Sequence, residues 1–466
     1  MSNSHNTENF REHLANVTDK GERIWLYPKI IKGAFYKYRT YLSWFLLGFF
    51  FLAPFVKIGG YPLLLLNVFE RKFVIFGQPF WPQDFYVFVF LTLTLLVFIV
   101  LFTVVFGRVW CGWACPQTIF MEMVFRKIEN WIEGNSIQQK KLDAMPWNTE
   151  KVLKKGTKHF LFLLISFIIA HTFLVYLIGY EELWAKISGP LSENYVALFS
   201  LVIFTIVFYL VFAKLRELVC IMICPYGRLQ GVMLDPNSMV VAYDHVRGEE
   251  RGKIRKNEDQ EGKGDCVDCG LCVDVCPTGI DIRNGTQLEC INCTSCMDAC
   301  DPVMEKIGKP KGLIRIDSKN NIENKIGFSF TPRIIAYSLV MVLLLGASFT
   351  ILATRKSVEA SILRVSGMTY NEEADGTVTN MYNLELVNKT FEDKTFKLEL
   401  LNKDARLILT DQDSVLESNN EEKKVVMVKM DAKNIHQNTI PITFKVLVGG
   451  EVLNTFETTF LAPVRN

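Results

Sequence analysis

The stretch from Cys266 to Cys300 organises this chain and reads CVDCGLCVDVCPTGIDIRNGTQLECINCTSCMDAC. It contains the spacing C-x2-C-x2-C-x3-C twice, and each cysteine of the first copy has a counterpart 24 residues later. This duplicated run is typical of chains that hold two [4Fe–4S] clusters. A pair of zinc sites and a disulfide framework are the alternatives. Zinc motifs usually place two separate C-x2-C pairs, so the four cysteines in one run favour clusters.

In such runs the first three cysteines hold one cluster and the fourth reaches the other cluster. We therefore predict one cluster on Cys266, Cys269, Cys272 and Cys300, and a second cluster on Cys290, Cys293, Cys296 and Cys276. The copies differ at the end, because Pro277 directly follows Cys276 whereas Asp301 separates Cys300 from Pro302. This difference predicts a looser turn after the last ligand.

The composition indicates a membrane protein with soluble parts, since 50% of the 466 residues are hydrophobic and 12% are aromatic. A net charge of +2 gives no reason to expect a nucleic-acid partner. All twelve cysteines lie in closely spaced groups between positions 111 and 300. This distribution suits metal ligation on the reducing side of a membrane better than disulfide bonding.

Five apolar segments approach or reach the length that a bilayer helix needs, and they cover residues 41–56, 85–106, 159–178, 195–212 and 334–353. The segment 108–158 carries nine Lys or Arg, whereas the segment 180–193 carries only Lys186. The positive-inside rule then predicts a multi-pass membrane protein. Its N-terminus and cysteine-rich stretch would be cytoplasmic and its C-terminus periplasmic.

The predicted domains follow from these segments. They are a cytoplasmic tail at 1–39, a four-helix membrane domain at 40–225, a ferredoxin-like domain at 226–333, a fifth membrane helix at 334–353 and a β-sandwich at 356–466. Residues 356–466 alternate apolar and polar side chains with a period of two, which predicts about seven short strands in an immunoglobulin-like arrangement. We expect this sandwich to have a structural role.

Two further cysteine pairs share the pattern C-x3-C-P, namely Cys111 with Cys115 and Cys220 with Cys224. Each pair follows an apolar segment, and residues at i and i+4 lie on one helix face. We therefore expect each pair on the last turn of a span, with all four thiols converging at one depth. Soft sulfur ligands favour Cu(I), zinc or iron–sulfur centres, paired thiols can form a disulfide, and a buried cysteine can simply be a small apolar residue.

Three polar residues lie within or beside the apolar segments. His171 lies in the middle of the third segment, where an ionisable side chain is a functional hypothesis as a metal or quinone ligand. A neutral histidine hydrogen-bonded within the bundle is the alternative. Arg216 and Glu217 follow the fourth segment and are expected to form an interfacial ion pair.

The order of spans, C-x3-C-P pairs and ferredoxin-like run resembles the membrane polyferredoxins of the NapH and NosR kind. Four further features are more specific to one family. They are the stretches at 59–62 (GGYP) and 76–84 (FGQPFWPQD), the fifth span and the β-rich tail. With them, residues 20–466 resemble the CcoG family, also called FixG or RdxA. The resemblance implies a location in the bacterial inner membrane and an accessory role in assembling cbb3-type cytochrome oxidase, with reduction of Cu(II) to Cu(I). It also implies that the four C-x3-C-P thiols are the redox or copper-handling groups.

This implied activity would make the chain a cupric reductase. Its expected partners are membrane lipid, oxidase assembly factors or a copper transporter, and an electron donor that the sequence does not identify. Two other functions remain open from the residues alone. One is a quinol-dehydrogenase-like subunit that passes electrons to a periplasmic reductase, and the other is a non-catalytic assembly scaffold with structural clusters.

Overall fold

The computed structural model of the chain describes residues 16–18, 22–68, 72–80, 84–253, 262–354, 358–390, 392–408, 413–417 and 420–463. The predicted N-terminal tail therefore lies partly outside the described residues, as do positions 81–83 of the FGQPFWPQD stretch. The chain divides into two units. One comprises residues 1–56, 65–67 and 86–348, and the other comprises 57–64, 68–85 and 349–466.

The helices are α1 Ala34–Leu52, α2 Phe85–Phe106, α3 Val109–Trp113, α4 Pro116–Thr118, α5 Arg126–Glu133, α6 Ser136–Ala144, α7 Thr149–Ile178, α8 Tyr180–Ser188, α9 Leu191–Leu210, α10 Pro225–Met233, α11 His245–Gly248, α12 Leu271–Asp274, α13 Ser295–Lys306, α14 Lys319–Asn324 and α15 Pro332–Ala353. Three π-helical segments, Ile119–Phe125, Val211–Leu215 and Val219–Ile223, lie near the C-x3-C-P pairs. Such segments are rare and often occur at functional sites.

The strands are β1 Lys57–Ile58, β2 Tyr61–Pro62, β3 Leu64–Asn67, β4 Lys72–Ile75, β5 Gln78–Phe80, β6 Val240–Tyr243, β7 Ile314–Asp317, β8 Val358–Arg364, β9 Asn371–Glu372, β10 Thr377–Asn388, β11 Lys394–Leu400, β12 Ala405–Ile408, β13 Asp413–Leu416, β14 Glu421–Asp431, β15 Thr439–Val448 and β16 Glu451–Leu461. The segment 57–84, between the first two predicted spans, contains five short strands among its described residues.

Among the described residues, four helices are long and apolar enough to cross a membrane: Phe85–Phe106, Thr149–Ile178, Asn194–Leu215 and Pro332–Ala353. They correspond to the second to fifth predicted spans. The first predicted span falls on α1, whose first two turns carry Lys37 and Arg39. The four long helices agree with a membrane protein, and a fifth crossing at α1 stays a prediction.

The helices of the first unit pack around aromatic side chains. Phe125, which follows the first C-x3-C-P pair, is fully buried and stacks on Phe212 of the fourth predicted span with ring centroids 4.4 Å apart. Phe162 of α7 meets the Phe125 ring edge-on at 4.8 Å. These contacts join the segment after the first cysteine pair to the helices that lead to the second pair.

The C-terminal part of the second unit consists of two antiparallel sheets. One has the strand order β12-β14-β10-β8, with β9 also paired to β10, and the other has the order β13-β11-β15-β16. Alternate residues of β10 (Tyr382, Leu384 and Leu386) are fully buried in a core shared with Phe444 of β15. This alternation explains the period of two in the sequence, because successive strand side chains point to opposite faces.

The sheets hold nine strands among the described residues, two more than the sequence suggested. The hydroxyl of Tyr382 donates a 3.0 Å hydrogen bond to the carbonyl of Thr459 on β16 and so joins the two sheets. The two sheets pack together without a disulfide, because this region contains no cysteine.

Candidate iron–sulfur and thiol sites

The duplicated cysteine run adopts the same backbone twice. Asp268 and its counterpart Asn292 have φ angles of 50° and 51°, and Gly270 and its counterpart Thr294 have φ angles of 69° and 63°. Left-handed residues between right-handed ones turn successive N–H groups toward a concavity, a geometry found around phosphates and iron–sulfur sites. A helix follows in each copy, α12 in the first and α13 in the second.

Four of the predicted ligands line one cavity: Cys266, Cys269, Cys272 and Cys300. The rest of its wall is largely apolar and includes Met304, Leu313 and Ile314. Burial, together with the nearby thiols of Cys272, Cys266 and Cys269, raises the pKa of the Cys300 thiol to about 12. The structure thus brings the last cysteine of the second copy beside the first three cysteines of the first copy.

The other four cysteines form a matching group. Burial raises the pKa of the Cys296 thiol well above its ordinary value, and the thiols of Cys293, Cys290 and Cys276 add to this rise. Cys276 therefore lies near the first three cysteines of the second copy.

These two thiol sets fit [4Fe–4S] clusters chemically. Within the described ranges, no three His, Cys, Asp or Glu side chains lie close enough together to hold a single metal ion. A four-iron cluster is larger than an ion and is held by four cysteine thiolates. The largely apolar cavity lined by four thiols offers such a donor set.

The C-x3-C-P pairs lie beyond the ends of the apolar helices, and the prediction that they occupy the last turn of a span is wrong. Helix α2 ends at Phe106, and Gly107 has a φ angle of 58° before the short α3 that carries Cys111. The fourth span ends at Leu215, and Arg216 has a φ angle of 53° before the π-helical turn that carries Cys220. Both breaks lie four residues before the first cysteine of the pair, so each copy has a positive φ angle at the same position.

The four thiols lie within electrostatic reach of one another. The pKa of Cys111 is raised to about 11, chiefly by burial and also by the thiols of Cys115 and Cys224, against the lowering effect of Arg108. Burial and the thiols of Cys115, Cys111 and Cys224 together raise the pKa of Cys220 to about 12. The two C-x3-C-P pairs therefore lie close together, as the repeated sequence predicted. Burial also raises the pKa of Cys115, so without a metal the thiols of Cys111, Cys115 and Cys220 remain protonated at neutral pH, and metal binding there must release protons.

The thiol group packs directly against the cysteine-rich domain. Cys111 lies in one small core with Ile291 and Cys293. A Cβ atom added to Gly112 would lie 2.4 Å from the carbonyl oxygen of Ile291 and 2.8 Å from the backbone nitrogen of Cys293. Only glycine allows this approach, and it places the C-x3-C-P thiols beside a predicted ligand of the second cluster.

Sequence reasoning missed two polar residues in this interface. The Cys111 thiol lies 3.0 Å from the side-chain oxygen of Gln230, which is fully buried on α10. Arg108 donates a 3.3 Å hydrogen bond to the same oxygen and another hydrogen bond to the carbonyl of Leu288. Arg108 could have been identified from the sequence by its position, since it is a charged residue between an apolar span and a cysteine pair.

Helix α1 also contacts the cysteine-rich domain. The backbone N–H groups of Phe35 and Tyr36 donate to the carboxylate of Asp298, at 3.1 and 2.7 Å. Asp298 lies between Cys296 and Cys300 on α13, so a carboxylate from another element caps the start of α1. Arg39 donates a 3.1 Å hydrogen bond to the carbonyl of Cys293. Residues of α1 therefore position the second cysteine copy.

A buried charge network lies next to the C-x3-C-P segments. Arg216 and Glu129 are 3% and 2% exposed and make a bidentate ion pair, while Glu217 pairs with Arg23 at 2.7 Å. The expected interfacial pair of Arg216 and Glu217 is therefore only a minor contact, at 3.9 Å. Arg216 instead ties the second cysteine pair to α5, which follows the first pair.

His171 lies on α7, and its described aromatic neighbour is Phe167, with ring centroids 6.2 Å apart. Its Nδ1 atom is buried without a hydrogen-bond partner among the described residues. The described contacts therefore give neither a metal-ligand partner nor a satisfied bundle hydrogen bond for this side chain.

Three family models match the chain. A model described as a 4Fe-4S binding domain matches residues 88–135, and one described as a 4Fe-4S dicluster domain matches residues 215–319. A third, described as an IG-like fold at the C-terminal of FixG, putative oxidoreductase, matches residues 348–463. The first two models include all twelve cysteines.

Two curated proteins are similar over most of their length. Protein RdxA of Cereibacter sphaeroides is 34% identical over 393 residues, which cover 80% of this chain and 81% of RdxA. Nitrogen fixation protein FixG of Rhizobium meliloti is 32% identical over 415 residues, which cover 80% of this chain and 79% of FixG. A crystal structure of a FixG-related protein from Vibrio parahaemolyticus aligns with 23% of this chain and 97% of its own, at 16% identity and a TM-score of 0.20.

The family models cover both the iron–sulfur and the C-terminal regions, and the similarity to RdxA and FixG extends over four fifths of the sequence. This chain is therefore a membrane iron–sulfur protein that belongs to the FixG/RdxA family.

Proposed function

We propose that this protein transfers electrons at a membrane to copper, reducing Cu(II) to Cu(I) for the assembly of a cbb3-type cytochrome oxidase. The ligands of the two [4Fe–4S] clusters would be Cys266, Cys269, Cys272 and Cys300 for one cluster, and Cys290, Cys293, Cys296 and Cys276 for the other. When bound, each cluster supplies one-electron transfer. The cavity lined by the first set of thiols supports this assignment.

The observation that carries the proposal is the contact of Gly112 with the backbone of Ile291 and Cys293. It holds Cys111 against the loop of the second cluster, so the four C-x3-C-P thiols would lie within a short distance of a one-electron centre. Thiolates stabilise Cu(I), so binding at these thiols favours the product of the reduction. Copper is here the substrate, and one electron converts each Cu(II) to Cu(I).

The side chains around the thiols would orient them for this reaction. Gln230 accepts from the Cys111 thiol, and Arg108 brings a positive charge close to the sulfur atoms of Cys111, Cys115 and Cys220. This charge lowers the cost of losing the thiol protons when a cation binds. The Arg216–Glu129 pair keeps the second cysteine pair at its place beside the first.

The proposal includes the predicted topology, with five crossings, a cytoplasmic ferredoxin-like domain and a periplasmic C-terminal domain in the bacterial inner membrane. An oxidase assembly factor or a copper transporter would receive the Cu(I). Labelling of Cys269, which is exposed, by a membrane-impermeant maleimide tests the orientation. Apoprotein in right-side-out vesicles should be protected, and labelling there would reject a cytoplasmic position.

The direct test of the reaction uses the purified protein with both clusters, reduced by dithionite and freed of excess reductant. We expect added Cu(II) to oxidise the protein while a Cu(I) chelator develops its colour, in proportion to the electrons stored. The double variant C111A/C220A should keep its clusters and lose most of this rate. An unchanged rate in that variant would reject the role of these thiols. Clusters that stay reduced in the presence of Cu(II) would instead favour the scaffold function.

A further inference from the structure

A second cavity, of about 310 Å³, opens on the surface of the cysteine-rich domain. It lies between β6, the turn at 283–286, the start of α11 and helix α14. Its volume is at the lower end of the range of small-molecule sites. No predicted cluster ligand lines it, so it is distinct from the cavity of Cys266 and its partners.

The two cavities share a wall. Tyr243 and Arg283 line both of them. The Arg283 guanidinium donates a 2.7 Å hydrogen bond to Asp281 and another to Asp268, which is the residue before Cys269. One layer of side chains therefore separates the open cavity from the thiols of the first predicted cluster. A molecule bound there would lie close enough for direct electron transfer to that cluster.

The cavity favours an anion with an apolar part. Three of its lining side chains are basic, but Arg283 is already paired with Asp281 and Asp268, so Lys319 and His245 are the basic groups left to meet an anion. Its one carboxylate among the described lining residues, Glu323, is already 3.5 Å from His245 and 3.8 Å from Lys319. Apolar surface comes from Val240, Ala242 and Ile322. The Lys319 side chain is 63% exposed and can turn toward a ligand.

We propose that this cavity is the electron-entry site and that it takes a reduced flavin that carries a phosphate. This inference rests on the proposed electron-transfer function and adds the donor to it. A donor to iron–sulfur clusters must release electrons singly, which a flavin can do, whereas a nicotinamide transfers a hydride. The reduced flavin loses two electrons and two protons, each of the two clusters gains one electron, and the protons go to water at the open mouth of the cavity.

Binding of oxidised flavin mononucleotide to the full-length protein with its clusters provides a readout that does not depend on turnover. We expect a titration by flavin fluorescence to show saturable binding that weakens at least tenfold in Lys319→Glu. Thr286→Trp should also weaken it by filling the mouth of the cavity. Lys325→Glu is the matched control, because Lys325 caps the same helix and does not line the cavity. The rate at which reduced flavin mononucleotide bleaches the clusters should fall in the same two variants.

Equal flavin affinity in the wild type, Lys319→Glu and Thr286→Trp would overturn this assignment, and so would the absence of any flavin binding. Equal affinity for riboflavin, which lacks the phosphate, would overturn the recognition of the anion. The cluster content of each variant is checked by the EPR signal after dithionite reduction, so misfolding cannot imitate the expected loss. If dithionite-reduced protein still converts Cu(II) to Cu(I), failure of flavin binding rejects the entry site alone.

Discussion

The guanidinium of Arg216 donates hydrogen bonds of 3.1 and 2.9 Å to the two carboxylate oxygens of Glu129, across 87 positions of sequence. Both side chains are almost fully buried. Glu129 follows the first C-x3-C-P pair and Arg216 precedes the second pair. Their ion pair therefore joins the two halves of the thiol group at a point where the Arg216 backbone adopts a left-handed conformation.

Replacing Glu129 by Gln should destabilise the protein strongly, because Arg216 would lose its bidentate buried carboxylate and Lys158 would keep only Glu133 of its two carboxylate partners. Breaking a buried pair by removing one partner costs about 3–5 kcal/mol. We expect a lower thermal midpoint in detergent and a changed EPR signal of the reduced clusters. Glu150→Gln is the control, since its pair with Lys154 on α7 is largely exposed and should change the midpoint little. Similar midpoints for the two variants would contradict a structural role for the buried pair.

The lowered pKa of the Glu129 carboxyl group predicts that the stability of the protein depends on pH. Burial alone would raise the pKa of Glu129, but Arg216, Lys158 and Arg126 outweigh burial and hold the pKa below its ordinary value. A carboxyl group of lowered pKa stabilises the fold above its unfolded pKa of about 4.3, and this stabilisation is lost as the pH falls through the folded value. The thermal midpoint of the wild type should therefore decrease below about pH 4.3. Glu129→Gln should show a smaller decrease, and equal decreases would contradict this role.

Gly112→Ala should separate the C-x3-C-P thiols from the cysteine-rich domain. The new methyl group would lie 2.4 Å from the carbonyl oxygen of Ile291, a backbone atom that cannot yield without moving the loop. We expect slower electron transfer to Cu(II) by at least tenfold with both clusters retained. Gly156→Ala on α7 is the control, because a Cβ there meets no atom within 4 Å. An unchanged rate in Gly112→Ala would show that this contact is not needed.

Single replacements of the last cysteine in each copy test the crossed ligand sets. Cys300→Ser should perturb the cluster of Cys266, Cys269 and Cys272, and Cys276→Ser should perturb the other cluster. Each variant should lose up to about half of the iron and retain the EPR signal of the unaffected cluster. If Cys300→Ser instead removes the signal that depends on Cys290, the ligands come from one copy each and the crossed assignment is wrong.

Asn388→Ala should destabilise the C-terminal domain. The Asn388 amide is fully buried and donates to the carbonyls of Glu392, Leu416 and Glu417, at 2.8, 3.3 and 3.1 Å. Leaving buried acceptors unpaired costs ~1–3 kcal/mol. Asn383→Ala on the same strand is the control, because Asn383 is exposed. Circular dichroism during urea unfolding measures the difference, and equal midpoints would contradict the prediction.

Much of the fold could be predicted because its signals are local. Helix α2 coincides with the predicted span at 85–106, since a continuous apolar run needs no tertiary partner to identify it. The buried alternation of Tyr382, Leu384 and Leu386 likewise reproduces the period of two. The first predicted span was less clear, because α1 starts at Ala34 and includes Lys37 and Arg39, whose placement depends on Asp298 and Cys293 of a distant segment.

The sequence by itself determined the ligand types, since the duplicated spacing specifies cysteine pairs that soft metals and clusters require. Tertiary structure decided what surrounds those thiols. Gly112 against Ile291, Gln230 beside Cys111 and Arg216 on Glu129 join residues that are 87 to 179 positions apart. Contacts of this kind depend on how the helices pack and on which charges become buried together. No local pattern of residue types encodes that packing.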